Sequence, residues 1–375
     1  MPPTARPLPG HAPSAGSDWR LAIPESRRQA IRRWFWSIAA VTLAVLIVGG
    51  ITRLTRSGLS IVDWDPIMGV VPPLTEAQWE EAFAAYRQFP EYQQLRQGMP
   101  LGDFKFIFFW EYLHRLLARA IGVVFLIPFV FFVVRGYLTR PIMIRALLLF
   151  ALGAMQGVLG WLMVASGLVD RPSVSHYRLA AHLSLAFLIF AGALWLARDL
   201  ATPARRTEVG DATRRRLTRG LAAIGALLGL QIVWGALVAG LKAGYYYNTF
   251  PLMAGEWIPP GLLMLEPAVM NVLDNPVAVQ WIHRVLGTVL LLAGAAFWWT
   301  IRRSGADATS RRFNTALLAL LAAQYLLGVL TLLFIVPVSL GVAHQALAMV
   351  LFGVWLVWLH HARELAISES LIANR

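Results

Sequence analysis

The chain contains no cysteine. That excludes disulfides, thiolate metal sites, iron–sulfur ligation and covalent c-type haem attachment by its own residues. Any metal or cofactor must be held by histidine, carboxylate or packing. Charge is scarce too: 14% of the 375 residues are Asp, Glu, Lys or Arg, where a soluble domain carries roughly a quarter. With 58% hydrophobic residues and a mean hydropathy of +0.60, the class is integral membrane protein. Lysine is nearly absent, so the formal net charge of +13 rests on arginine. The arginines sit in short clusters between apolar runs, which is the pattern of cytoplasmic membrane loops and not of a nucleic-acid surface. No apolar h-region precedes Trp34. The first 25 or so residues, rich in Pro, Ala, Gly and Ser, read as a disordered tail without a cleavable secretory signal.

Eight apolar runs reach the ~20 residues a bilayer crossing needs. They lie near 34–54, 106–134, 142–166, 177–196, 217–241, 277–301, 313–336 and 339–361. Basic clusters occupy alternate junctions: Arg27, Arg28, Arg32 and Arg33; Arg135, Arg140 and Arg145; Arg205 to Arg219; and Arg302, Arg303, Arg311 and Arg312. Both termini are therefore expected on the cytoplasmic side. The outer connections 55–105 and 242–276 are long, and the others are short. The first contains Asp63-Trp64-Asp65-Pro66 and a short amphipathic helix with a Thr75-x-x-Gln78 capping box, Trp79, Phe83 and Tyr86 lying on one side.

Long outer loops follow the first and fifth spans only, which signals duplication. An offset near 168 places His114-Arg115 on His283-Arg284, Gln156-x-x-x-Gly160 on Gln324-x-x-x-Gly328, and His182 near His344. The segment Arg53-Leu54-Thr55-Arg56 corresponds loosely to Lys242 and its neighbours. The expected fold is all-α and integral to the membrane, with eight transmembrane helices as two pseudo-symmetric four-helix bundles in parallel repeat. The expected division is a cytoplasmic tail 1–30, a first half 31–200, a basic linker 201–216, a second half 217–362 and a tail 363–375.

Of eight histidines, four fall inside spans: His114, His182, His283 and His344. His11 lies in the tail, His176 in an outer loop, and His360 and His361 at the inner end of the last span. The four span histidines share one depth near the outer face, on the second and fourth helix of each half. Facing imidazoles in a four-helix bundle hold b-type haem by two axial nitrogens. Ala118, Gly122, Gly287 and Gly341 are expected to leave room for a flat macrocycle. Arg115 and Arg284 either pair with haem propionates or snorkel to the headgroups. Glu111 shares a helix face with His114, and its counterpart is Gln280, which cannot titrate. An acid beside one site and an inert copy beside the other suggests chemistry in the first half and electron transfer in the second. Gln156, Gln231 and Gln324, each four residues before a glycine, read as helix-packing residues.

At these residues the chain resembles the haem A synthase family. The resemblance rests on Thr52-Arg53-Leu54-Thr55-x-Ser57-Gly58-Leu59-Ser60, on Asp63-Trp64-x-Pro66, and on Phe104-Lys105-x-Ile107-Phe108-x-x-Glu111-Tyr112-x-His114-Arg115. Trp281-Ile282-His283-Arg284, Asn248-Thr249-Phe250-Pro251-Leu252-Met253 and His344-Gln345 extend it over nearly all of 30–361. The pattern is similar to the mitochondrial and alphaproteobacterial branch. The other bacterial branch has a cysteine pair in an outer loop, which this chain lacks.

The resemblance implies oxidation of the C8 methyl group of haem O to a formyl group, giving haem A for cytochrome oxidase. It implies His283 and His344 as axial ligands of a resident haem b, His114 and His182 as holders of substrate haem O, and Glu111 as the catalytic acid. A haem O synthase would supply substrate, and an electron donor or acceptor that the sequence does not name would complete the redox balance. The bacterial inner membrane is expected in preference to the mitochondrial one, with membrane lipid as surroundings and homo-oligomer formation left open. The competing class is a quinol-linked dihaem b electron carrier with two matched sites.

Overall fold

The computed structural model describes residues 23–62, 69–167, 173–201 and 208–367. His11 and Asp63-Trp64-Asp65-Pro66 lie outside the described residues. Eight helices are long and apolar enough to cross a membrane: α1 (Glu25–Leu54), α4 (Leu101–Val134), α5 (Arg140–Gly167), α6 (His176–Asp199), α7 (Asp211–Gly240), α8 (Pro276–Arg302), α9 (Ala308–Leu333) and α10 (Val338–Glu364). The short α2 (Glu76–Tyr86) and α3 (Pro90–Leu95) lie in the first outer loop. The chain is thus an all-α integral membrane protein. The one departure among the described residues is a two-residue parallel pair, Glu208–Val209 beside Ala366–Ile367.

Each expected span has its helix, and the ends differ where polar residues extend it. The first helix begins at Glu25, inside the stretch expected as tail, because Glu25 pairs with Arg28 and Gln29 across its first turn. Similarly α7 begins at Asp211, within the expected linker, where Asp211 and Arg215 form an i,i+4 pair. The fourth helix starts at Leu101, and its added turn carries Phe104 into an aromatic cluster with Phe108 of the same helix and Phe83, Tyr86 and Trp79 of α2. The Thr75–Gln78 capping box forms as expected. His176 is not a loop residue; it opens α6.

The first half comprises α1, α4, α5 and α6, and the second α7, α8, α9 and α10. They join where α1 and α6 pack on α10 and α7. Polar ties close this junction at both faces. At the face that carries the long loops, His176 Nε2 and Tyr177 Oη share Asp274 Oδ1 at 3.0 and 2.7 Å. At the opposite face, His360 Nε2 lies 2.9 Å from Asp199, which also accepts from Arg145 at 2.9 Å. The repeat extends to the backbone. Two residues beyond the ends of α1 and α7, Arg56 and Lys242 both adopt positive φ, 53° and 54°, turning the chain into the outer loops.

Candidate functional site

The four span histidines are each set against a glycine of a neighbouring helix. A Cβ on Gly49 would stand 2.8 Å from His114 Cε1, one on Gly160 3.3 Å from His182, one on Gly235 3.1 Å from His283, and one on Gly328 2.8 Å from His344. No larger residue leaves these rings in place. The four contacts are equivalents: α1 on α4, α5 on α6, α7 on α8, α9 on α10. His114 and His182 lie within electrostatic range of one another, as do His283 and His344. One histidine pair therefore sits in each half.

The glutamines tie neighbouring helices together, and they do so at the histidines. Four residues before its glycine, each points its amide at the neighbouring histidine's main chain. Gln156 Nε2 donates to His182 O at 3.1 Å, Gln231 to His283 O at 3.2 Å, and Gln324 to His344 O at 3.0 Å. The α1 position that would complete the set is Val45. There the nearby tie is Thr52 Oγ1 to Trp110 O, 3.0 Å, one turn before His114. Sequence reasoning passed over the glycines and glutamines as site residues. Their signal was the repeated Gln-x-x-x-Gly spacing, which packing alone also explains.

Glu111 is 2% exposed. Its Oε2 accepts from Ser60 N at 2.7 Å, Ser60 Oγ at 2.7 Å and Ile61 N at 2.9 Å, and its Oε1 accepts from Arg115 at 2.6 Å. Gln280, 3% exposed, mirrors it with the polarity reversed, since its Nε2 donates to Ala243 O and Tyr246 O, both at 2.8 Å. Each residue latches the loop that leaves the first helix of its half. The first loop presents N–H donors and needs an acceptor; the second presents carbonyls and needs a donor. Loop polarity is thus a second physical reason for the Glu111–Gln280 difference, beside the asymmetry of chemistry expected from the sequence.

The two arginines are likewise bound to loops. Arg115 Nη2 donates to Ile61 O at 2.8 Å, and Arg284 donates to Thr249 O and Tyr247 O at 2.8 and 2.7 Å. A cavity of about 110 Å³ opens beside the first latch, lined by Ile61, Phe108, Tyr112, Arg115 and Arg119 among others. Of the small residues expected to leave room for a macrocycle, Gly122 does face open space. Gly341 is filled by Leu54 and Gly287 by Gln231, so these two serve close helix approach instead.

A histidine pair suits haem iron when its nitrogens are free of competing bonds inside an apolar bundle. The Nδ1 atoms of His114, His182 and His283 are buried without a hydrogen-bond partner. The other contacts of these rings are weak or few: His283 Nε2 lies 3.4 Å from the Gln231 amide, the His344 ring lies 3.3 and 3.4 Å from the Gln324 amide, and the His114 ring faces the Val45 main chain. Among the described residues no group of three or more His, Asp or Glu is arranged for a bare ion. Both pairs fit an axially ligated haem.

Comparison with known proteins agrees with this frame. The chain is 47% identical over 344 residues to the haem A synthase of Parvibaculum lavamentivorans, covering 91% of this chain and 96% of that one. It is 46% identical to that of Nitrosospira multiformis, over 92% and 95%, and 47% identical to that of Rhodospirillum centenum, over 93% and 91%. The family model described as cytochrome oxidase assembly protein matches residues 32–356. With two histidine pairs in a duplicated bundle and relatives of this similarity along its length, the chain belongs to the COX15-CtaA family of cytochrome oxidase assembly proteins.

Proposed function

We propose that this protein is a membrane oxidoreductase that converts the C8 methyl group of haem O to a formyl group, yielding haem A for cytochrome oxidase. The observation that carries the reading is the pair of buried imidazoles in each half, in a chain 46–47% identical to named haem A synthases. His283 and His344 would hold a resident haem b, and His114 and His182 the substrate haem O. When bound, haem b supplies one-electron redox chemistry beside the substrate half. Gln231 and Gln324 fix the main chain of the resident pair, and the flanking glycines let the helices close upon the rings.

Glu111 is the proton-handling group in this proposal. Three donors fill Oε2, whereas Oε1 has only the Arg115 bond. The carboxylate's spare accepting capacity is therefore at Oε1, where a proton leaving the reacting carbon or its water would be taken. Arg115 and Arg284, at the outer edge of each pair, would meet the propionates. The protein would sit in the bacterial inner membrane with both termini cytoplasmic, and would receive its substrate from a haem O synthase.

The dihaem carrier needs matched halves. The Glu111–Gln280 difference does not argue against it by itself, but the unequal helix packing of the two halves does, α8 lying closely along α9 while α4 barely touches α5. Extraction and chromatography of bound haems from the parent protein and from His114→Ala, His182→Ala, His283→Ala and His344→Ala test the reading. Loss of haem b only in the second-half variants, and of haem O or A only in the first-half ones, is expected. Two permanent b haems in the parent would overturn it.

A further inference from the structure

The two halves are not packed alike. Helices α8 and α9 lie against each other over much of their length, while their equivalents α4 and α5 make only slight contact. Three side-chain bonds close the α8–α9 seam: Thr288 Oγ1 to Tyr325 Oη at 2.9 Å, Trp298 Nε1 to Thr315 Oγ1 at 3.3 Å, and Asn314 Nδ2 to Trp298 O at 3.0 Å. Leu321 also fills the space over Gly294, where a Cβ would stand 2.4 Å from its Cδ1.

The repeat offset replaces every partner. In the first half Thr288 becomes Arg119, Tyr325 becomes Gly157, Leu321 becomes Gly153, Asn314 becomes Ala146, and Trp298 becomes Phe129. A Cβ on Gly153, Gly157 or Gly122 would meet nothing within 4 Å. The inner ends of α4 and α5 do join, through Phe125 and Phe150 with ring centroids 5.2 Å apart. The opening therefore lies on the outer side of that contact, on the flank where Gln156 and Gly160 of α5 hold His182. Beside it the buried Oε1 of Gln156 and Nδ1 of His182 lack hydrogen-bond partners. Exposed Met155, Val158 and Trp161 on α5 and Val123 on α4 make the surroundings apolar.

We propose that the α4–α5 seam is a lateral opening through which haem O reaches His114 and His182 from the bilayer, its isoprenoid tail lying along the face of α5 that carries Gly153 and Gly157. This rests on the first half being the haem O site. An apolar chain gains nothing from crossing an aqueous mouth, and a lipid-facing seam lets it stay in hydrocarbon while the ring enters. The second half, which retains its haem, has the same seam filled and bonded shut.

The absence of cysteine makes a clean test available, since Gly157→Cys or Tyr325→Cys gives a single spin-label site. In proteoliposomes the label at 157 should collide freely with dissolved oxygen, and added haem O should reduce those collisions. The label at 325 should be shielded in both conditions. A label at 157 as shielded as that at 325, or indifferent to haem O, would overturn the proposal. A second arm installs the second-half side chains, Gly153→Leu with Gly157→Tyr. Loss of haem O uptake with the haem b absorbance retained is expected, and normal haem A output would overturn the lateral route. Should the double variant lose its haem b as well, the label at 157 decides. A parent protein that takes up no haem O at all would instead overturn the functional reading.

Discussion

Glu111 and Gln280 occupy the same place in the two halves, one turn before a histidine, and grip their loops with opposite hydrogen-bond polarity. The carboxylate receives three bonds from Ser60 and Ile61. The amide gives two to Ala243 and Tyr246. An acid in the interior of a membrane protein is costly unless its oxygens are met, and here four donors meet them. The same residue is thereby a latch for the loop above the first histidine pair and the group proposed to handle a proton there.

Exchanging the two residues tests both roles. Glu111→Gln sets an NH₂ group against either the loop donors or Arg115, and should cost about 1–3 kcal/mol of loop stability by leaving a buried donor unmet. Faster amide exchange at Ser60 and Ile61, together with loss of haem A formation, is the expected result. Gln280→Glu should free the second outer loop and leave the first untouched. A Glu111→Gln protein with normal haem A output would remove Glu111 from the chemistry.

Gln324 and Gln231 should matter to haem retention more than their position in helix contacts suggests. Gln324→Leu removes the donor to His344 O, a bond worth about 0.5–1.5 kcal/mol, and with it a restraint on an axial ligand. A shifted Soret band and a lower fraction of haem b surviving gel filtration are expected. Gln156→Leu, in the other half, serves as the control and should leave haem b unchanged. Identical spectra in all three proteins would show that the glutamines only pack helices.

The outer loop should lose stability as pH rises. Glu91 in α3 is 4% exposed, and its carboxyl is pushed up to about 7, chiefly by burial, with Arg96 opposing and the charge of Glu111 adding to the rise. In the unfolded chain it titrates near its ordinary 4.5. Between these values the unfolded chain has released a proton that the folded loop keeps, so stability falls with pH through the window. Below about 4.5 both forms are protonated, and above about 7 the loss is complete. Glu91→Gln should be more stable than the parent near pH 8 and equal to it near pH 4, as read by amide exchange across α2 and α3. Equal exchange near pH 8 would count against the buried, protonated carboxyl.

Much was fixed by composition and periodicity. Eight apolar runs dictate eight helices, because the bilayer leaves few other ways to satisfy the backbone. A repeated His-Arg step, with Gln-x-x-x-Gly at matching offset, shows the duplication and picks out the four imidazoles. Those features are local, and hydropathy and spacing preserve them. What spacing could not supply was the direction of each hydrogen bond and the contact across each seam. The sequence shows Glu at 111 and Gln at 280, but only the folded loops reveal that one presents N–H groups and the other carbonyls. It shows Gly153 and Gly157, yet whether a glycine admits a neighbouring helix or faces open space depends on where that helix lies. Gly341 and Gly153 are the same residue type with opposite surroundings. That choice is made by the packing of whole helices, which no residue's own propensity determines.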